Sequence, residues 1–208
     1  MEKKEKPKRG RPRHFARDDM LEKASELFWQ QGYEGTSISD LVSAMGVTPP
    51  SLYSAFKSKE SLYLEVLDRY AEQYGSQILA GLFTQEDAFQ SMKAVLYSSA
   101  RVFTHSPHAA GCMISTGLVE RAEAAKGLSE NLKERRNQTT AAIQAKLEDG
   151  KEQLQPHTDV HALAAFLAAT IQGMSIQAKD GASEADLQKL ADLSLQVIAQ
   201  ALKVPKCS

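Results

Sequence analysis

Apolar positions recur at intervals of three and four along most of this 208-residue chain, the spacing of one buried face of an α-helix. The pattern is sharpest in residues 36–59, which read as two short helices joined by a three-residue turn. Ile38, Leu41, Val42 and Met45 fall at i, i+3, i+4 and i+7, one apolar stripe. Gly46 stops that helix, because glycine readily takes the left-handed conformation of a helix C-terminus. Thr48 precedes Pro49 and is pushed into the extended geometry of an N-cap. Pro49 suits the first helical position, and Val47 with Leu52 forms a hydrophobic staple. Pro50 opposes a helical Pro49, but the capping signals outweigh it. At about 100° per residue, Leu52 and Phe56 share the inward side. Pro50, Ser51 and Ser54 then point outward, with Tyr53 on the flank. Such a pair has the form of a helix-turn-helix, whose second member enters the DNA major groove. An αα-hairpin inside an ordinary bundle has the same spacing.

The flanks supply the supports. Asp18 or Asp19 is placed to cap a first helix with Met20, Ala24, Leu27 and Phe28 inward, and Gly32 ends it. Trp29 reads as packing. Ser58 is the expected N-cap of a fourth helix, with Glu60 in its first turn and Leu62, Val66 and Tyr70 at intervals of four, running to about Tyr74.

Beyond residue 75 the long segments 87–105 and 128–152 are amphipathic with no strand-like alternation. The charges from Glu130 to Arg136 read as a solvated face, and Gly150 and Pro156 mark the end of the second segment. Residues 160–178 are apolar nearly all round, which demands partners on every side. Residues 184–202 offer a further leucine stripe. Paired with a second copy, these last two segments would form a four-helix interface of C2 symmetry. Leu163, Phe166, Leu167, Met174, Leu187, Leu190, Leu195 and Ile198 are its expected residues.

Composition changes the picture mainly through charge. Residues 1–17 hold eight lysines and arginines against two glutamates, a net of +6, which leaves −7 on the rest of a chain of net −1. A basic arm on an acidic body suits a protein that meets nucleic acid with one end. The arm is poor in apolar residues and is expected to be disordered alone. Its centre, Arg9-Gly10-Arg11-Pro12, resembles an AT-hook, an arginine-glycine-arginine segment that lies in a narrow A·T minor groove. The alternative is a solvated tail adding salt-dependent phosphate attraction. Two cysteines make no disulfide framework, the charged N-terminus lacks a signal-peptide core, and the apolar run 162–171 is too short to cross a bilayer. A cytoplasmic chain without a membrane partner is expected.

Residues 14–75 resemble the DNA-binding segment of the TetR family of bacterial transcriptional repressors. The likeness rests on Gly35-Thr36, on Gly46, Val47, Leu52, Tyr53 and Phe56, and on Ser58-Lys59-Glu60. It implies an all-α protein: an N-terminal three-helix helix-turn-helix DNA-binding domain joined to a larger helical ligand-binding and dimerisation domain. Residues 1–16 would be the arm, 17–75 the DNA-binding domain with its helix-turn-helix at about 37–56, and 76–208 the regulatory part. Lys59, Tyr53 and Thr36 resemble the family's phosphate contacts, which position without reading sequence. Together with Arg9, Arg11, Arg13, Ser37, Thr48, Pro50, Ser51 and Ser54 they are the expected DNA-binding residues.

The expected function is a ligand- or redox-responsive repressor that holds a near-palindromic double-stranded operator as a homodimer and is released by a small-molecule inducer. The alternatives are an architectural DNA binder working through the arm, and a helical interaction protein or enzyme with an incidental helix-turn-helix. No phosphate-cradling loop, nucleophile elbow or paired acidic motif points to catalysis, and no cofactor is expected. Cys112, beside Gly111, resembles the sensing thiol of some family members. A reactive thiol needs a neighbouring cation, for which Arg101, His105 and His108 are near in sequence. Cys112, His105 and Phe103 are the expected sensing set, and a buried small hydrophobe is the alternative reading of the thiol. His105, His108 and Cys112 match no strong metal signature, and His157 and His161 lack the glutamate of a zinc protease, so no metal is expected.

Overall fold

A computed structural model describes residues 13–105, 109–117 and 126–203. Four helices make the N-terminal part: α1 (Arg13–Gly35), α2 (Ile38–Met45), α3 (Pro49–Phe56) and α4 (Lys59–Tyr70). Their apolar stripes meet in one core. Ala24, Phe28, Leu41, Leu52, Phe56, Leu62 and Val66 are all buried. The Tyr63 ring stands edge-on to Phe28 at 4.9 Å, and Trp29 meets Tyr70 and Tyr74 in the same way, each at 4.9 Å. Trp29 is therefore packing, as its spacing suggested. Gly32 breaks α1 with φ 75 and ψ 174, a conformation costly for any residue with a Cβ.

Two readings of α1 are corrected. The helix is already formed at Arg13, so Asp18 and Asp19 lie inside it and are not its N-cap. Residues 13–16, expected in the arm, belong to this helix, and Arg17 after them is held on the body. Its guanidinium pairs with Glu65 of α4 at 2.6 and 2.8 Å and lies 4.5 Å over the Phe56 ring. A second tie joins Arg69 to Glu22 at 2.8 Å. Both pairs are part-exposed, so they orient α1 on α4 more than they stabilise it.

The fourth helix does not end near Tyr74. It passes through a π-helical turn (Ala71–Gly75) into α5 (Ser76–Thr84), all in helical dihedrals. Then come α6 (Ala88–Thr104), α7 (Met113–Thr116), α8 (Lys126–Asp149), a 3-10 turn (Lys151–Gln153), α9 (Val160–Lys179) and α10 (Glu184–Ala201). Among the described residues no strand occurs, only an isolated bridge between Leu154 and Leu202. α5 packs along α6, which also meets α9 and α10. A Cβ on Gly81 would fall 2.5 Å from that of Ala94, so glycine sets the closeness of α5 and α6.

α9 is 20 residues long with mean hydropathy 1.2, apolar and long enough by composition to cross a bilayer, which the shorter run 162–171 did not suggest. Here it packs on α6, α8 and α10. Its burial corrects the expected subunit interface. Leu163, Leu167, Met174, Leu187, Leu195 and Ile198 are buried inside this chain and present little surface to a second copy. The outward apolar face is the other side. Phe166 (39% exposed) and Ile176 (51%) stand on α9, and Leu193 (58%) and Val197 (42%) on α10. Ala162, Ala165 and Ala169 lie exposed between them. Leu190 is half-buried against the core.

Candidate DNA interface

The helix-turn-helix is held by local chemistry at each joint. Ser37 caps α2: its Oγ accepts from the Asp40 N–H at 3.1 Å, while the Ser37 N–H donates to Asp40 Oδ2 at 2.8 Å. The Ser37 hydroxyl, which donates to Asp40 Oδ2 at 2.6 Å, and then the Ser37 N–H hold the Asp40 carboxyl below its ordinary range. The Ser-x-x-Asp spacing of this capping box is visible in the sequence. Gly46 takes the left-handed conformation (φ 66, ψ 36), and Thr48 is extended (φ −90, ψ 155) before the two prolines of α3. Thr48 caps with its backbone only. Its hydroxyl pairs with that of Ser51 at 3.0 Å.

This framework buries Leu52 and Phe56, half-buries Ala55 and leaves the rest of α3 outside. Thr48, Pro50, Ser51, Tyr53 and Ser54 are exposed, as is Ser37 before α2. Lys59, at the first position of α4, lays its ammonium 4.1 Å from the Tyr33 ring centroid. Burial lowers its pKa, and the charge of Glu34 opposes that shift. Thr36 is the exception among the expected contacts. It is fully buried, and its hydroxyl donates to the Gly32 carbonyl at 2.7 Å, bracing the end of α1. Its side chain is not presented to solvent. Arg9 and Arg11, with most of the arm, lie outside the described residues, as does the side chain of Arg13.

Lys57 was missed altogether. It has φ 66 and ψ −50, and the Ser58 N–H reaches back to the Phe56 carbonyl at 2.7 Å. That is a γ-turn with positive φ at its centre, rare and strained for a lysine. Nothing in a lysine marks such a turn in a sequence. It sets the angle between α3 and α4.

The expected sensing residues separate. Cys112 and Phe103 line one cavity of about 60 Å³, walled also by Tyr70, Ile114, Arg136 and Ile171. His105 lies in a different groove with Tyr74 and Arg101, and faces Glu184 at 3.5 Å. His108 is outside the described residues. The cation near Cys112 is instead Arg136 of α8, from a segment read as a solvated face. Arg135 and Arg136 are half-buried. Arg135 pairs with Asp68 of α4, and Arg136 Nη1 donates to the carbonyls of Ile114 (2.9 Å) and Gly117 (3.2 Å). The signal for Arg136 was its spacing, since it continues the Leu128–Leu132 stripe at i+4. Beside this cavity, burial pushes the Tyr63 phenol up to about 12. Burial also raises that of Tyr70 well above its ordinary value, with the Cys112 thiol adjacent.

Known proteins share this layout. Residues 20–66 match the model of bacterial regulatory proteins of the tetR family, and residues 88–192 match the tetracyclin repressor-like C-terminal domain. The HTH-type transcriptional repressor ComR of Escherichia coli K12 is 38% identical over 201 residues, 95% of this chain and 96% of that one. The repressor BdcR of the same organism is 26% identical over 194 residues, 93% of this chain and 94% of its own. A solved structure of the TetR family regulator CifR, a cysteine mutant with a 26-base-pair operator, aligns with a TM-score of 0.83 at 31% identity. It covers 89% of this chain and 98% of its own.

Proposed function

This chain belongs to the tetR family of bacterial regulatory proteins, DNA-binding transcriptional regulators rather than enzymes, and on that premise we propose that it is a homodimeric repressor of a near-palindromic operator, released by a small molecule or by oxidation of Cys112. The observation that carries the reading is the outward half of α3. Leu52 and Phe56 are buried, while Pro50, Ser51, Tyr53 and Ser54 stand open to a duplex. Ser51 and Ser54 offer single hydrogen bonds, and Pro50 an apolar contact for thymine methyls. Tyr53 and Lys59 would hold phosphates. The basic arm would add minor-groove or phosphate attraction. Two α3 helices spaced for successive major grooves require two copies. The apolar face of Phe166, Ile176, Leu193 and Val197 supports such pairing. Acting on DNA, the protein would work in the cytoplasm.

A gel-shift titration against an operator selected from genomic fragments tests this. Specific binding should survive competitor DNA at moderate salt, and Tyr53→Ala with Lys59→Ala should weaken it at least tenfold. An arm-driven architectural binder would instead lose binding steeply as salt rises, whatever the fragment. Undiminished affinity in the double variant would sink the assignment of α3.

A further inference from the structure

The cavity at Cys112 carries an electrostatic imbalance. Arg136 reaches it from α8, and no carboxylate among the described residues pairs with this guanidinium. Its Nη1 is spent on the carbonyls of Ile114 and Gly117. The Nε and Nη2 edge, a planar fork of N–H donors, makes no hydrogen bond with the described residues. Burial lowers the pKa of Arg136, with the Cys112 sulfur acting in the opposite sense. A second group in the same wall is poorly satisfied. The Tyr70 hydroxyl is fully buried, and the partner it meets there is the Cys112 thiol, a weak one. A buried hydroxyl held so weakly gains free energy from a stronger acceptor. Opposite these donors the wall is apolar, with Ile78, Leu79 and Ile171.

We propose that this cavity is a receptor for a small organic carboxylate, gripped by the Nε and Nη2 edge of Arg136 and the Tyr70 hydroxyl, with its hydrocarbon part against Ile78, Leu79 and Ile171. A carboxylate matches a guanidinium edge with two parallel charge-assisted bonds, and a neutral ligand leaves the cation unpaired. Size sets a further limit. A cavity of about 150 Å³ admits benzene, so the present 60 Å³ takes acetate as it stands, and butyrate, with as many heavy atoms as benzene, requires a small outward shift of one wall. Longer acids would have to displace a wall. Those walls include the Gly75 turn below α4 and the α7 segment that Arg136 holds. The consequence for DNA rests on the responsive-repressor reading; the binding itself does not.

Calorimetric titration of the full chain with sodium acetate, sodium butyrate and butyramide tests the proposal. Butyrate should bind, butyramide at least tenfold more weakly, and Arg136→Gln should abolish binding. Because Arg136 also braces α7, Tyr70→Phe provides a variant that removes only the hydroxyl, and it should weaken butyrate about tenfold. Equal binding of butyrate and butyramide, or no binding of either acid at millimolar concentration, overturns the receptor. Operator titration in the same samples separates the two readings. Butyrate bound without release of DNA keeps the receptor and removes the inducer role. Release by a neutral compound, with no butyrate binding, removes the receptor and keeps the responsive repressor.

Discussion

Lys57 is the one non-glycine residue among those described with positive φ, and it lies at the joint on which the reading head turns. A side chain in this γ-turn stores on the order of 1 kcal/mol or more of backbone strain. Glycine relieves that strain without altering the turn. Lys57→Gly should therefore raise stability, read from the urea midpoint, by at most about 1 kcal/mol, since the greater freedom of glycine in the unfolded chain offsets part of the relieved strain, while the loss of one cation weakens operator binding only modestly and more at low salt. A lower midpoint would show that the lysine side chain contributes more than the turn costs. Thr36 teaches the opposite lesson at the same scale. The family likeness marked it as a phosphate contact, but its hydroxyl is already committed to the Gly32 carbonyl. Residue identity named the position; the fold decided which way it points.

Among the elements, α10 offers the clearest pH dependence. Ser183 and Asp186 form a capping box at its start, and Lys189 lies 2.9 Å from Asp186. The Ser183 hydroxyl bond, then Lys189, hold the Asp186 carboxyl down to about 2. A carboxyl depressed in the folded chain contributes stability above its unfolded pKa of about 3.9, and this is lost as pH falls through the folded value. Thermal melts of the native chain and Asp186→Asn should differ at neutral pH and converge as pH drops toward 2. A constant gap would refute the cap's role. At this scale the sequence was most legible. The stripes of α2, α3, α4 and α6 and the caps Thr48 and Ser58 lie where spacing put them, because a period of three and four with punctuating Gly, Pro and Ser is a local signal. The start of α1 and the passage of α4 into α5 were not legible. Gly75 sits in helical dihedrals inside a π turn, and no residue type announces that choice.

For the whole molecule, the decisive question is which face of α9 and α10 remains outside. Both faces of α9 are apolar, so periodicity gives no preference, and the chain's own α6 and α8 claim the leucine side. The exposed side is then the expected contact with a second copy. Phe166→Glu with Leu193→Glu should convert a dimer to a folded monomer in sedimentation equilibrium, with unchanged helical circular dichroism and weakened operator binding. An unaltered dimer would move the interface elsewhere. Leu167→Ala is the contrasting change: it should destabilise the fold by about 2–5 kcal/mol, as buried leucine truncations do, without acting through association. A shift of its sedimentation toward monomer in the folded state would count against that burial-based division. Between this face and the DNA helices, Arg135 joins α8 to Asp68 of α4, and Arg136 ties α8 to α7, so the cavity wall and the reading head share a helix.

What the residues determined alone was everything with a short range: the helical class, the helix-turn-helix with its caps, the inward Leu52 and Phe56, and the segregation of positive charge into the first residues. Those follow from neighbours three or four positions apart, where propensity and periodicity act directly. Only the tertiary structure decided what depends on competition between distant surfaces. It buried Thr36, gave Leu163, Leu167, Leu187 and Leu195 to the core, parted His105 from Cys112, and brought Arg136 to the thiol in its place. Which of two apolar faces is covered, and which charge meets which cavity, is settled by packing across the chain, and no local pattern carries that information.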